Sequence, residues 1–555
     1  MSDAAQAETG EKAEYNQADK TATNTDSDQE GAAARGAQVT DIPAGYWYSF
    51  RFLGSFFSLV LVASALFINF NLPRCQLVVT CIGLLVVGRL GDILGRRYFL
   101  IGGQVFGVVG AAICAKATSI NMLVAGAAIY GVACTTQLTY PFVVQELVPN
   151  KHRGIGQAVI TFAVLPFAGF GSIIARDLIK YSALGWRWVY MINVIFNATA
   201  LVLLCLCYFP PSMHDLHTKW TWKTELRKLD YGGILIFTVL SVLILLGLNW
   251  GGGTYAWSDP HVVAPLVIGF VLVIVFGVYE TYMPLEQPIL PVKLLKNRAY
   301  LAIVAVACIG QMVYFVLAII WPQQIQYSYT ANNIAIGWMS LTSGLSLILA
   351  EVVFGALMKM LGNTRIQLIV ASCGLFAAIG GTTHKPQNYP IAFTAMAGFF
   401  AGWVDIIAIV ANGLVNEPGD LSLANGFMGS MKQFIGTVSV SIYIAIMTSR
   451  FEINFPKDVG AAANGTAAAY AAVPGMTDSI QTAMEGGLKN AWAASFSTVY
   501  YASLAFAGLG IIAACFSPDV DRHMNDYVSR RITGTQVMDG PVELTIKNGH
   551  LTDDE

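Results

Sequence analysis

Apolar residues in this chain come in runs of about twenty, parted by short polar turns, over most of its length. A helix rising ~1.5 Å per residue needs about that many to cross a ~30 Å hydrocarbon core. In lipid, only a helix or a closed barrel satisfies its own backbone. The pattern predicts an all-α membrane protein with fourteen spans, near 52–72, 75–88, 98–117, 122–147, 156–179, 189–209, 231–250, 262–282, 300–320, 334–360, 367–382, 391–415, 427–448 and 496–516. The second run is the exception. Its roughly fourteen residues cover only ~21 Å, and Asn69 to Arg74 lead into it almost at once. The expectation is a missing segment there, through a gene-model error or a real deletion, or else a poorly inserted helix.

The runs divide the chain. Residues 1–45, rich in Ala, Gln, Asp, Glu, Thr and Gly, read as a disordered tail, without the basic start and apolar core of a signal peptide. A six-helix half is expected over 46–209, a polar linker over 210–230, and two additional helices over 231–283. A second six-helix half follows over 284–517, with a long loop at 450–495 and a tail over 518–555. In that loop Ile480, Met484, Leu488 and Trp492 share one helical face, predicting a short surface helix. An even number of spans puts both tails on one side. Lys and Arg concentrate in loops on the side of Arg96, Lys151, Arg153 and the linker, which predicts cytosolic tails and an external 450–495 loop.

Composition agrees. Hydrophobic residues make up 55% of the 555 and charged residues 12%, and mean hydropathy is +0.57. A net charge of -2 offers nothing to nucleic acid. The nine cysteines lie in or beside apolar runs, as small packing residues rather than a disulfide framework or metal site. No nucleophile–base arrangement, metal cluster or Walker loop is present, so the expectation is no enzyme, no cofactor, no metal and no ATP-driven transport. No obligate protein partner is inferred; the partner that composition implies is the lipid bilayer.

The chemistry gathers at Gly88-Arg89-Leu90-Gly91-Asp92-Ile93-Leu94-Gly95-Arg96-Arg97, between the second and third runs. This stretch resembles the signature loop of the major facilitator superfamily of transporters. Gly88 and Gly95 would allow close approach and sharp reversal. Asp92 would bond to a helix N-terminus of the opposite half, and Arg96 and Arg97 would stay in the cytosol and fix orientation. Gly355-x-Leu357 with Gly362 repeats the glycine spacing in the second half. Pro149-x-x-x-Arg153-Gly154 resembles the superfamily's loop after helix 4. Residues 45–530 look like the fourteen-helix fungal trichothecene-efflux-pump family of drug:proton antiporters, carried by Gln145-Glu146-Leu147-Val148-Pro149-Asn150-Lys151, Gly337-Trp338-Met339-Ser340 and Gln311-Met312-Val313-Tyr314-Phe315. The stretch 126–131 lacks the helix-4 arginine of many proton antiporters.

That resemblance implies a fold of two six-helix halves plus two central helices, and a plasma-membrane pump exporting small hydrophobic toxins by proton antiport. Charges inside spans are costly and default to function, so Asp405 and Glu351 are the expected proton-coupling groups. Gln137, Tyr140, Gln311 and Tyr314 are the expected polar lining of the cavity, and Trp321 and Trp403 could stack on a bulky substrate. Lys432 is expected to snorkel to the inner surface. A proton-coupled siderophore importer shares the fold. A receptor or transport-defective paralogue is the reading favoured by the short second run.

The topology has a direct test. Asn464-Gly465-Thr466 is a usable sequon in the loop placed outside, whereas Asn197-Ala198-Thr199 lies within a span. Expression through a eukaryotic secretory pathway should give a glycosidase-sensitive mobility shift that Asn464→Gln removes. Tag mapping of loop 450–495 to the cytosol would overturn the assigned orientation.

Overall fold

The computed structural model describes residues 37–39, 49–68, 74–210, 222–252, 255–290, 292–382, 388–416, 420–454, 478–521, 524 and 528–530. The first half consists of α1 (Phe50–Ile68), α2 (Arg74–Leu94), α3 (Arg96–Ala115), α4 (Ile120–Gln137), α5 (Tyr140–Leu147), α6 (Arg153–Ala168), α7 (Gly171–Tyr181) and α8 (Arg187–Cys207). Then come a short α9 (Trp222–Lys228), the additional pair α10 (Tyr231–Trp250) and α11 (Pro260–Tyr282), and α12 (Val292–Lys296). The second half comprises α13 (Arg298–Phe315), α14 (Trp321–Gln324), α15 (Asn333–Leu361), α16 (Thr364–Gly381), α17 (Asn388–Val415), α18 (Leu421–Asn454) and α19 (Asp478–Cys515).

Counting α4–α5, α6–α7 and α13–α14 as one stretch each, twelve stretches among the described residues are long and apolar enough to cross a membrane. The expected count of fourteen is not reached on that measure, because α1 and α2 carry shorter apolar stretches, Phe50–Ala65 and Gln76–Gly91. Yet α2 is 21 residues long. The second run looked too short because hydropathy stops at Gly88, while the helix continues through Arg89 and Asp92 to Leu94. At ~1.5 Å per residue the whole helix spans ~31 Å, while its apolar part stays the shorter stretch Gln76–Gly91.

Other boundaries also moved. The expected surface helix at 480–492 is the start of the 38-residue α19, and its Trp492 stacks on Tyr327 and Phe451 at 4.4 and 4.2 Å between ring centroids. Within the tails, Ala37–Val39 (β1) pairs antiparallel with Val528–Arg530 (β2), Val39 opposite Val528, so these parts of both tails meet on one face. Asn464 and half of the 450–495 loop lie outside the described residues. Two wide, π-type turns, Val316–Ile320 and Ile325–Tyr329, flank α14. Pro322 sits between them and cannot donate the backbone bond a regular turn requires.

Each half packs on itself and meets the other along two seams. α2 runs against α18, and α6 against α15. Those are helices two and five of one half against five and two of the other, so the seams are related by an approximate two-fold axis. The repeated glycines sit at matching places on them. A Cβ on Gly88 would strike the Ser422 carbonyl, and one on Gly355 would strike the Gly154 carbonyl. Gly95 and Gly362 both have positive φ, +86° and +58°, where the chain reverses into α3 and α16. Arg97 and Arg365 each donate to a carbonyl at the far end of their half, of Cys205 at 2.8 Å and of Cys515 at 2.5 Å. α10 packs on α11 and lies beside α2 and α18.

Overpacking such a seam costs about 1–3 kcal/mol, a bias of about 5–150-fold. Gly88→Val should therefore lower transport by roughly that range while membrane insertion stays normal. Gly102, with open space around its Cβ position, is the control. Equal transport by Gly88→Val and Gly102→Val would show that the seam need not close.

Candidate functional site

The functional side chains lie in two layers. The first is a polar belt where the halves meet at the end of α2. Arg96 was expected in solvent, but it is 3% exposed. Gly95 turns the chain so that α3 begins by pointing Arg96 inward, where its guanidinium pairs with Glu146 at 2.6 Å and donates to the Ser422 hydroxyl of the opposite half. Arg97 alone stays near the surface, 3.8 Å from the Phe209 ring centroid. Arg153 Nη1 donates to the Gly413 carbonyl at 2.7 Å, again across the halves. Between these arginines Gln145 Nε2 donates to the Ile409 carbonyl at 2.8 Å, Asn425 Nδ2 donates to Gln145 Oε1 at 3.3 Å, and Asn412 Nδ2 donates to Asn425 Oδ1 at 2.6 Å. Asp92 lies in α2, and its side chain is outside the described residues. Each bond ties α3, α5 or α6 to α17 or α18, or steadies a residue that does. The belt closes this side.

The second layer is a cavity of about 130 Å³ above the belt, walled by α2, α5, α13, α15, α17 and α18. Tyr140, Gln311, Tyr314, Glu351 and Asp405 all line it. Gly398 and Gly402 make this possible, because Cβ atoms there would strike the Ser343 and Leu347 carbonyls. α17 thus sits close on α15, bringing Asp405 and Glu351 to one chamber. Lys432 was expected to snorkel outward. Instead α18 begins at Leu421, earlier than the apolar run suggests, so Lys432 lies about three turns in and forms an ion pair with Asp405. Gln433 lines the same wall. No described basic side chain forms an ion pair with Glu351. A second cavity, of about 370 Å³ and mainly apolar, lies between α6–α8 and α13–α15; Tyr314 lines both.

Three expected cavity residues face elsewhere. Gln137, fully buried, hydrogen-bonds Asn197 Oδ1 at 2.7 Å and accepts from the Tyr130 hydroxyl at 3.2 Å, within a network that reaches the Ala65 carbonyl through Asn193. The reason is the turn at Leu138–Thr139. Pro141 has no N–H to continue α4, so α5 starts in a new direction and Tyr140, unlike Gln137, reaches the cavity. Trp403 stacks on Phe354, and buried Trp321 donates to the Met339 carbonyl at 3.2 Å, so both are packing residues. The residues missed in the sequence are Glu146, Ser422 and Lys432. A buried acid opposite a motif arginine is the signal that could have found Glu146.

A family model described as fungal trichothecene efflux pump (TRI12) matches residues 76–543. The trichothecene efflux pump TRI12 of Fusarium sporotrichioides is 27% identical over 553 residues, covering 91% of this chain and 92% of its own. Its namesake from Trichoderma arundinaceum is 26% identical, covering 92% and 93%. The MFS-type transporter prx5 of Penicillium rubens is 27% identical, covering 75% and 80%.

The belt makes a specific prediction. Removing Glu146 breaks a buried ion pair of the Arg96 guanidinium, at a cost of about 3–5 kcal/mol in the closed arrangement. Glu146→Ala should therefore raise hydrogen exchange in peptides covering 88–97 and 409–425, and Glu146→Gln should raise it less. Unchanged protection in both would mean that this ion pair does not hold the side closed.

Proposed function

Because this chain belongs to the fungal trichothecene efflux pump family of the major facilitator superfamily, we propose that it exports small hydrophobic secondary metabolites in exchange for protons. All fourteen apolar helices cross the plasma membrane, with both termini and the motif side in the cytosol. The loop charge asymmetry and the pairing of β1 with β2 on one face support that orientation. The efflux names of the relatives favour export over siderophore uptake.

The observation that carries the mechanism is the group of Glu351, Asp405 and Lys432 in an otherwise largely apolar chamber where both halves meet. Asp405 has a counter-ion in Lys432, so its charge is compensated. Glu351 is the group left to take or give a proton. Ionised, it competes with Asp405 for the Lys432 ammonium; protonated, it leaves that pair undisturbed. Proton occupancy thereby changes the shape and charge of the chamber, which is what coupling two fluxes at one site requires. Binding pockets for molecules of drug size run about 300–1,000 Å³, so a 130 Å³ chamber holds no such substrate while the belt is closed. Loading from the cytosol requires the belt to part and the halves to rock, giving alternating access. The 370 Å³ cavity, apolar and joined at Tyr314, offers the substrate a path on the other side.

Glu351→Gln imitates the protonated state permanently. It should abolish the response of efflux to an imposed pH gradient, a loss of at least about tenfold in gradient-driven rate, while substrate still exchanges down its own gradient. Efflux from loaded vesicles with and without the gradient measures both. A wild-type response in Glu351→Gln would exclude it as the coupling group.

A further inference from the structure

Away from the chamber, the described residues hold a second buried carboxyl pair. Asp230 is 3% exposed and caps α10, its Oδ1 accepting the Gly233 amide at 2.8 Å and the Tyr279 hydroxyl at 2.9 Å. Its Oδ2 is buried without a hydrogen-bond partner. So are both carboxylate oxygens of Glu280, on α11, which is 6% exposed. Two of these oxygens converge beside Gly233, where an added Cβ would meet Asp230 Oδ2 and Glu280 Oε1 together. Tyr279 has already spent its proton on Asp230. The backbone amides of Ile289 and Leu290 are the donors that face Glu280. The nearby charges are Glu225, Arg227 and Lys228 on α9 and Glu286 on the following segment. Lys228 is held by Glu225 at 3.1 Å and by Glu286 at 3.8 Å, on the open side of the cluster.

Two buried carboxylates facing each other with no donor between them cannot both stay ionised cheaply. One proton placed between them turns an acceptor–acceptor contact into a hydrogen bond and satisfies the orphan atoms. We propose that Asp230 and Glu280 hold a single proton between them, forming a proton-binding site apart from the central chamber. The site lies where the linker meets the two additional helices.

The position of this pair gives its proton a consequence. The segment 286–290 lies over Glu280 and is fixed at both sides. Leu229 bridges to Gln287, whose Nε2 donates to Glu225, and the Pro288 carbonyl accepts from Arg89 Nη2 at 3.3 Å. Arg89 belongs to α2, the helix that forms one seam. Loss of the shared proton sets a second negative charge beneath this ledge, which draws the Ile289 and Leu290 amides onto Glu280 and attracts the Arg89 guanidinium, tightening the ledge. Proton occupancy at Asp230–Glu280 thus biases the closed arrangement of the motif side, whatever substrate is carried.

The test uses full-length protein in lipid nanodiscs. Infrared difference spectra across neutral pH should show a protonated carboxyl signal that Glu280→Gln removes and Glu351→Gln leaves in place. Hydrogen exchange of peptides covering 222–230 and 284–290, corrected for intrinsic exchange chemistry, should fall with pH in the wild type and stay flat in Glu280→Gln. Asp230→Asn carries the same two expectations should Glu280→Gln fold poorly. A wild-type infrared signal and pH dependence in the well-folded variant would overturn the proposal. So would ledge protection that follows added sodium or magnesium ions rather than pH, since the pair would then bind a cation.

Discussion

The architecture rests on two seams where backbone meets backbone across the halves. In a bilayer, lipid is as apolar as leucine, so halves are not driven together by burial of apolar surface. They must touch closely or exchange polar contacts. Gly88 against Ser422 and Gly154 against Gly355 supply the first, and Arg96–Glu146–Ser422 and Arg153–Gly413 supply the second. The two depend on each other. The arginines reach across only because the glycines let the helices approach, and their burial is tolerable only because carboxylate and carbonyl oxygens receive them.

Placing the polar belt and the charged chamber at successive depths has a mechanical meaning. The belt is made of bonds that water can replace when the side opens, so opening exchanges partners rather than leaving charges stranded. In the chamber, Asp405 has its counter-ion in Lys432, whereas Glu351 lines the same wall without an ion pair to a described basic side chain.

Much of this was legible in the sequence. The spans follow from run length, and Glu351 and Asp405 stand out because a carboxyl inside an apolar run is rare enough to need a reason. The failures share a cause: hydropathy reports side chains, whereas a helix is a property of the backbone. α2 continues past Gly88 because nothing in Arg89 or Asp92 breaks a helix, so the run understated it. α18 starts at Leu421, ahead of the apolar run, which hid how deep Lys432 lies. Gln137 and Tyr140 are three residues apart and would share a face, but Pro141 resets the helix between them. Arg96 was misplaced because a run of charges at a membrane edge looks solvated until the opposing Glu146 and Ser422 are seen together.

The two wide turns around Pro322 give α13 and α14 a property the other spans do not display among the described residues. A π-type turn holds one residue more than a regular turn, so the stretch from Arg298 to Tyr329 carries slack within its own hydrogen-bonded ladder. Passing a surplus residue along a helix shifts the segment it leaves behind by ~1.5 Å and rotates it by ~100°, with no backbone bond left open for long. Gln311 and Tyr314 lie just ahead of the first wide turn, facing the chamber, and Pro322 lies just beyond it, facing the larger cavity. A wall built this way can re-aim its side chains by creeping in register, like a carpet moved by its ruck, while the seams on either side of it stay closed.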